Sequence, residues 1–163
     1  MASLFQDGQI EDMFISEINS DDAYTRFEKM VLLSATKAIE DSGIDASSDK
    51  TIFILSTTKG NVSLLEKNVC GVDDNRVLLG VMANVISCHF GNSNMPIVVS
   101  NACISGVCAQ IVAKRCLESS KYDNAVVIGA DEQSPFIVSG FMSFRALSPE
   151  VCRPFSKNRN GLN

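Results

Sequence analysis

Apolar residues along this chain fall into short blocks that alternate between two spacings. After Ser20-Asp21-Asp22, which reads as a helix start, Phe27, Met30, Val31, Ala35, Ala38 and Ile39 recur at three-and-four spacing, and Gly43 is placed to stop the helix. Residues 50–56 are continuously apolar at their centre, the pattern of a strand covered on both faces, with Thr57-Thr58-Lys59-Gly60 as its exit loop. A second helix is expected at about 76–90, with Leu78, Val81, Met82, Val85 and Ile86 on one stripe and Gly91 as its stop, followed by a turn at Asn92-Ser93-Asn94. A second buried strand follows at 96–101. A third helix then places Val107, Cys108, Ile111, Val112, Cys116 and Leu117 on its apolar stripe. Residues 124–128 form a third apolar strand leading into Gly129-Ala130-Asp131-Glu132. Segment 134–149 reads as a loop or short helix followed by an irregular stretch. Asn158-Arg159-Asn160-Gly161 is a turn that should lead into another strand.

Strands alternating with helices predict an α/β fold, a parallel or mixed sheet with helices packed on it. Residues 1–20 are poorly patterned and read as an N-terminal arm, which leaves 21–163 as the folded part, and the chain stopping just after a turn reads as part of a larger domain.

Composition narrows the partners. The 163 residues are 45% apolar and 20% charged, an ordinary globular balance with room for a sizeable core. A net charge of −5 argues against nucleic acid, whose phosphates need a positive face. No apolar run approaches the roughly 20 residues of a membrane helix, and the acidic start is unlike a secretory signal. Six cysteines without such a signal read as reduced thiols of a cytoplasmic protein. There is no C-x-x-C pair, and Cys103 and Cys108 fall on different faces of a helix, so a zinc site is not expected.

The candidate chemistry sits at Cys103, where a buried strand ends and a long helix begins. The N–H groups of a first helical turn and the positive end of the helix dipole favour a thiolate and can stabilise an oxyanion. Ala102, Ser105 and Gly106 are small enough for a sharp corner with space for a ligand. The competing reading is a small buried cysteine, like Cys108 and Cys116, but those two lie on the helix stripe and Cys103 precedes it. His89, the sole histidine, opens a Cys–His dyad on paper, yet it falls near the apolar stripe of its helix and reads as structural or half-buried. Asp131 and Glu132 form an acid–base pair or, as the turn position favours, carboxylates that pair locally. Lys59-Gly60 lacks the rest of a phosphate loop. Arg153 reads as structural, and Phe141 and Phe144 as packing or dimer-contact residues.

Asn101-Ala102-Cys103-Ile104-Ser105-Gly106 resembles the nucleophile motif of beta-ketoacyl synthases. Gly129-Ala130-Asp131-Glu132 resembles that family's turn after the next strand. Phe141-Met142-Ser143-Phe144-Arg145-Ala146-Leu147-Ser148 resembles its segment ending in Arg-Ala-Leu-Ser. Cys152-Arg153-Pro154-Phe155 with Arg159-Asn160-Gly161 resembles the block of its elongating type. The order of the four motifs from about Tyr24 onward makes the resemblance specific. It implies the thiolase-like fold, N-terminal half only, and a condensing enzyme of fatty-acid or polyketide biosynthesis. Cys103 is then the acyl-accepting thiol. No cofactor is implied, since substrates ride on the phosphopantetheine of an acyl carrier protein as acyl and malonyl thioesters. The implied partners are that carrier protein and either a second copy of the chain, paired through edge strands near 97–100, or a missing C-terminal half with two histidines and a lysine. Ile104 replaces a smaller residue and narrows the acyl pocket, and Ser156 and Asn160 stand where the family has Asp. Two other readings remain, a non-catalytic ketosynthase partner or carrier-binding remnant, and a cysteine acyl-hydrolase using His89.

Overall fold

The computed structural model describes residues 23–66 and 72–162. The expected arm at 1–20, and the start signal at Ser20-Asp21-Asp22, lie outside the described residues. Among the described residues the first helix, α1 (Arg26–Ser42), has Thr25 as its N-cap. The Thr25 hydroxyl accepts from the Glu28 N–H while the Glu28 carboxylate accepts from the Thr25 N–H, a reciprocal capping box. At the other end Gly43 adopts φ 68°, a left-handed stop that costs nothing without a Cβ, and its N–H bonds back to Ile39.

Among the described residues three strands form one parallel sheet in the order β2-β1-β3: β1 is Thr51–Ser56, β2 is Ile97–Val99 and β3 is Asn124–Gly129. Ile54 pairs with Ile97 on one side of β1 and Val127 on the other. All six residues of β1 are buried, as a continuous apolar run requires of a central strand. Its side chains alternate between two cores. Phe53 and Leu55, with Val126 and Ile128 of β3, meet Phe27, Val31, Leu32 and Ala35 of α1 and Met82, Ala83 and Ile86 of α2 (Leu79–His89). Ile52 and Ile54 face the opposite way, against Ala109 and Ala113 of α3 (Ser105–Glu118). The sheet is therefore the middle layer between two helical layers.

Three expectations are corrected. The second helix starts later than 76, because Asp74–Val77 is a 3-10 turn capped by the Asp73 side chain, and Leu78 is exposed. The strand at 97–99 lies at the edge of the three described strands and is only half-buried. On α3 the face turned to the sheet is Ser105, Ala109 and Ala113, with Val112 and Cys116 beside it, whereas Val107 is 61% exposed and Ile111 and Leu117 also face outward. Small side chains let the helix approach the sheet closely, so volume rather than hydrophobicity chose that face.

Two polar devices hold the first layer. Glu28 is wholly buried and paired to Arg76 at 3.0 Å, and its other oxygen accepts from Asn61 Nδ2 at 2.8 Å. Arg76 also donates to the Ala23 carbonyl at 2.6 Å. At the N-terminal end of β1, Asn92 Nδ2 donates to the carbonyls of Ala46, Ser48 and Thr51.

The chain divides into two compact units, residues 1–132 and 133–163. The second contains α4 (Pro135–Ser143), with Ser134 as N-cap and proline in the first turn, where the sequence left loop and helix open. Phe144, just beyond α4, is largely exposed. The predicted turn at 158–161 does lead into pairing: Leu162 bridges Leu147 in parallel, donating to Ala146 O and accepting from Ser148 N.

Candidate active site

Cys103 lies in a single 3-10 turn, Ala102–Ile104, between the C-terminal end of β2 and the start of α3. Its side chain is exposed, unlike half-buried Cys108 and Cys116. The corner is built by backbone geometry. Asn101 sits at φ −141°, ψ 56°, and Ala102 then takes φ 47°. For a residue with a Cβ this left-handed conformation costs on the order of 1–2 kcal/mol. The turn is closed by Ile104 N donating to Asn101 O at 3.2 Å and Ser105 N donating to Ala102 O. These two amides are thus spent inside the turn, so the expected set of free first-turn N–H groups is reduced by two.

Side chains complete the corner. The Ser105 hydroxyl accepts from Asn101 N at 2.7 Å and donates to Ala102 O at 2.7 Å. The Asn101 amide donates to Cys108 Sγ at 3.4 Å, tying the strand end to the first turn of the helix. Ile104, next to the thiol, is exposed. Periodicity reads the role of neither Ser105 nor Asn101; the one available signal was a hydroxyl and an amide flanking a corner of small residues.

The other candidates do not converge on Cys103. His89 closes α2, which returns the chain to the N-terminal end of the sheet, where Asn92 and Asn94 bond to the backbone between Ala46 and Thr51. Cys103 follows the C-terminal end of β2, beside Thr57, whose N–H donates to Val99 O. The histidine is exposed; its Nδ1 lies 3.0 Å from the Tyr24 hydroxyl and its ring packs edge-on against Tyr24 and Phe90. Asp131 stands at the same sheet end as Cys103, but its Oδ1 accepts from Thr57 Oγ1, Thr58 N and Lys59 N, closing the exit loop of β1. Glu132 accepts from Ser63 Oγ. Neither carboxylate pairs locally as expected; both reach across to the segment after β1, 69 or more residues away in the chain. Arg153 lies 3.5 Å from Glu150 within its own loop. Among the described residues no three His, Cys, Asp or Glu side chains gather in a metal-binding group, and no helix is long and apolar enough to cross a membrane.

The family model described as beta-ketoacyl synthase, N-terminal domain, matches residues 4–163. Among solved structures the chain resembles one described as a beta-ketoacyl synthase from Burkholderia phymatum STM815, with a TM-score of 0.68 and 19% identity. That match covers 86% of this chain and 40% of the other, so the chain spans well under half the length of that relative. At that identity the likeness supports the thiolase-like fold. No curated protein matches the chain.

Proposed function

Because the chain belongs to the beta-ketoacyl synthase family, we propose that it supplies the nucleophile-bearing part of a condensing enzyme, with Cys103 as the acyl-accepting residue. The observation that carries this reading is the exposed thiol raised on a left-handed corner between a parallel strand and a helix start. In the proposed reaction the Cys103 thiolate attacks the carbonyl of an acyl thioester carried on the phosphopantetheine of an acyl carrier protein. The carrier thiol leaves and an acyl-cysteine remains. A malonyl thioester then loses carbon dioxide, and the electron pair of the broken carbon–carbon bond attacks the acyl carbonyl. A new carbon–carbon bond forms as the Cys103 thiolate departs. The Cys103 N–H supplies one donor to the oxyanion.

The same reading assigns decarboxylation to groups outside these 163 residues. The sole histidine, His89, belongs to the other end of the sheet. The exposed Val107, Ile111 and Leu117 of α3 fit a cover supplied by a C-terminal half or by a second copy. Fatty-acid and polyketide substrates both suit this chemistry, and Ile104 beside the thiol favours a narrow acyl entrance.

A ketosynthase-directed epoxide tests the assignment. Intact-mass analysis is expected to show one adduct per chain, located at Cys103 and absent from Cys103→Ala. Labelling spread over the other cysteines, with Cys103 inert, would contradict it. A non-catalytic partner has no use for a reactive cysteine, and a hydrolase would turn over thioester in a manner lost in His89→Ala.

A further inference from the structure

We propose that Ser105 is the positioning residue for the Cys103 thiol, holding through its hydroxyl the left-handed backbone corner from which that thiol projects. The inference rests on the assignment of Cys103 as nucleophile. At Ala102 the backbone occupies φ 47°, a region that a Cβ disfavours, so the corner needs an external tether to persist. Ser105 provides one on each side of Ala102. Its oxygen accepts from the N–H of Asn101, before the strained residue, and its proton goes to the carbonyl of Ala102 itself, both at 2.7 Å. A hydroxyl is the side-chain group of this size that donates and accepts at once, so alanine or glycine cannot reproduce the pair. The hydroxyl is in turn referenced to the sheet. Ser105 is 5% exposed and shares with Ala109 and Ala113 the face of α3 turned toward β1. Losing the tether frees Ala102 to relax to negative φ, which swings the Cα–Cβ bond of Cys103 while leaving the helix–sheet contact in place.

The test measures two rates at Cys103 in the full chain, acylation by a fatty-acyl thioester and alkylation by iodoacetamide. Exposed Cys88, on the regular helix α2, serves as internal reference, with sites resolved by fragmentation mass spectrometry. Ser105→Ala is expected to slow acylation about tenfold or more, since small displacements of a reacting atom carry large rate costs. It should also lower the Cys103/Cys88 alkylation ratio, and Ser105→Thr should restore most of both. In an Ala102→Gly background, where the left-handed corner is free of Cβ strain, the loss caused by Ser105→Ala should shrink. That comparison stays decisive if Ser105→Ala alone folds poorly, because a residue needed only for packing would do equal harm in both backgrounds. Equal harm, or unchanged rates in Ser105→Ala, would overturn the proposal. If wild-type Cys103 is not acylated at all, the nucleophile assignment fails, and the alkylation ratio alone then decides the role of Ser105.

Discussion

Cys103 and His89 stand at opposite ends of one parallel sheet, the cysteine after the C-terminal end of β2 and the histidine at the end of the helix that returns to its N-terminal end. A parallel connection requires such a return, so topology alone keeps the pair apart. His89→Ala is therefore expected to leave the labelling rate of Cys103 within about twofold of wild type. Its stability cost should be about 0.5–1 kcal/mol, the worth of one exposed hydrogen bond to Tyr24. Site-resolved labelling and urea denaturation read the two effects.

The buried pair of Glu28 and Arg76 makes a sharper stability prediction. Glu28 is wholly buried, while Arg76 keeps a fifth of its side chain in water (19% exposed). Removing the arginine strands a carboxylate in the core, so Arg76→Met should cost about 3–5 kcal/mol. Glu28→Gln should cost less, about 1–3 kcal/mol, because the freed guanidinium reaches solvent. Urea midpoints of the two variants check the order; the reverse order would count against this account of the site.

Asn92 spans three backbone carbonyls at the N-terminal edge of β1. Asn92→Ala leaves them without that donor and should cost about 1–3 kcal/mol. Asn92→Asp replaces the donor with a second acceptor and should be worse, although it is nearly isosteric. Denaturation of both variants measures the difference.

The Asp45 carboxyl is held below the ordinary carboxylate range, first by the Ser47 hydroxyl and then by the Ser47 backbone N–H, which favour the ionised form. A depressed folded value means the contribution is fully present above the ordinary carboxylate value of the unfolded chain and is lost as pH falls through the lower folded one. The stability gap between wild type and Asp45→Asn should thus be flat at neutral pH and close only in strong acid. A pH series of thermal melts follows it.

Much of the scaffold was legible because strong local signals agree with the tertiary fold. The continuous apolar run of β1 became the central strand, and Gly43 stopped α1 where a left-handed residue was needed. The capping box of Thr25 and Glu28 was also written in the chain, but the earlier polar cluster at Ser20-Asp21-Asp22 competed with it. The buried face of α3 was misread for a physical reason. Counting large apolar residues favours Val107 and Ile111, while close helix–sheet packing selects Ser105, Ala109 and Ala113. The strand-to-helix position of Cys103 was legible in the sequence. The Ser105 tether was not, since hydrogen bonds across a left-handed corner leave no periodic trace. Nor was the Glu28–Arg76 pair, which joins positions far apart in the chain.

The central claim is that Cys103 accepts an acyl group. The most direct measurement is intact mass after brief incubation of the chain with a fatty-acyl thioester, followed by location of the adduct. One acyl group per chain is expected, bound through a hydroxylamine-sensitive thioester at Cys103 and missing in Cys103→Ala. An unmodified Cys103 under conditions where exposed Cys88 still reacts with iodoacetamide would contradict it.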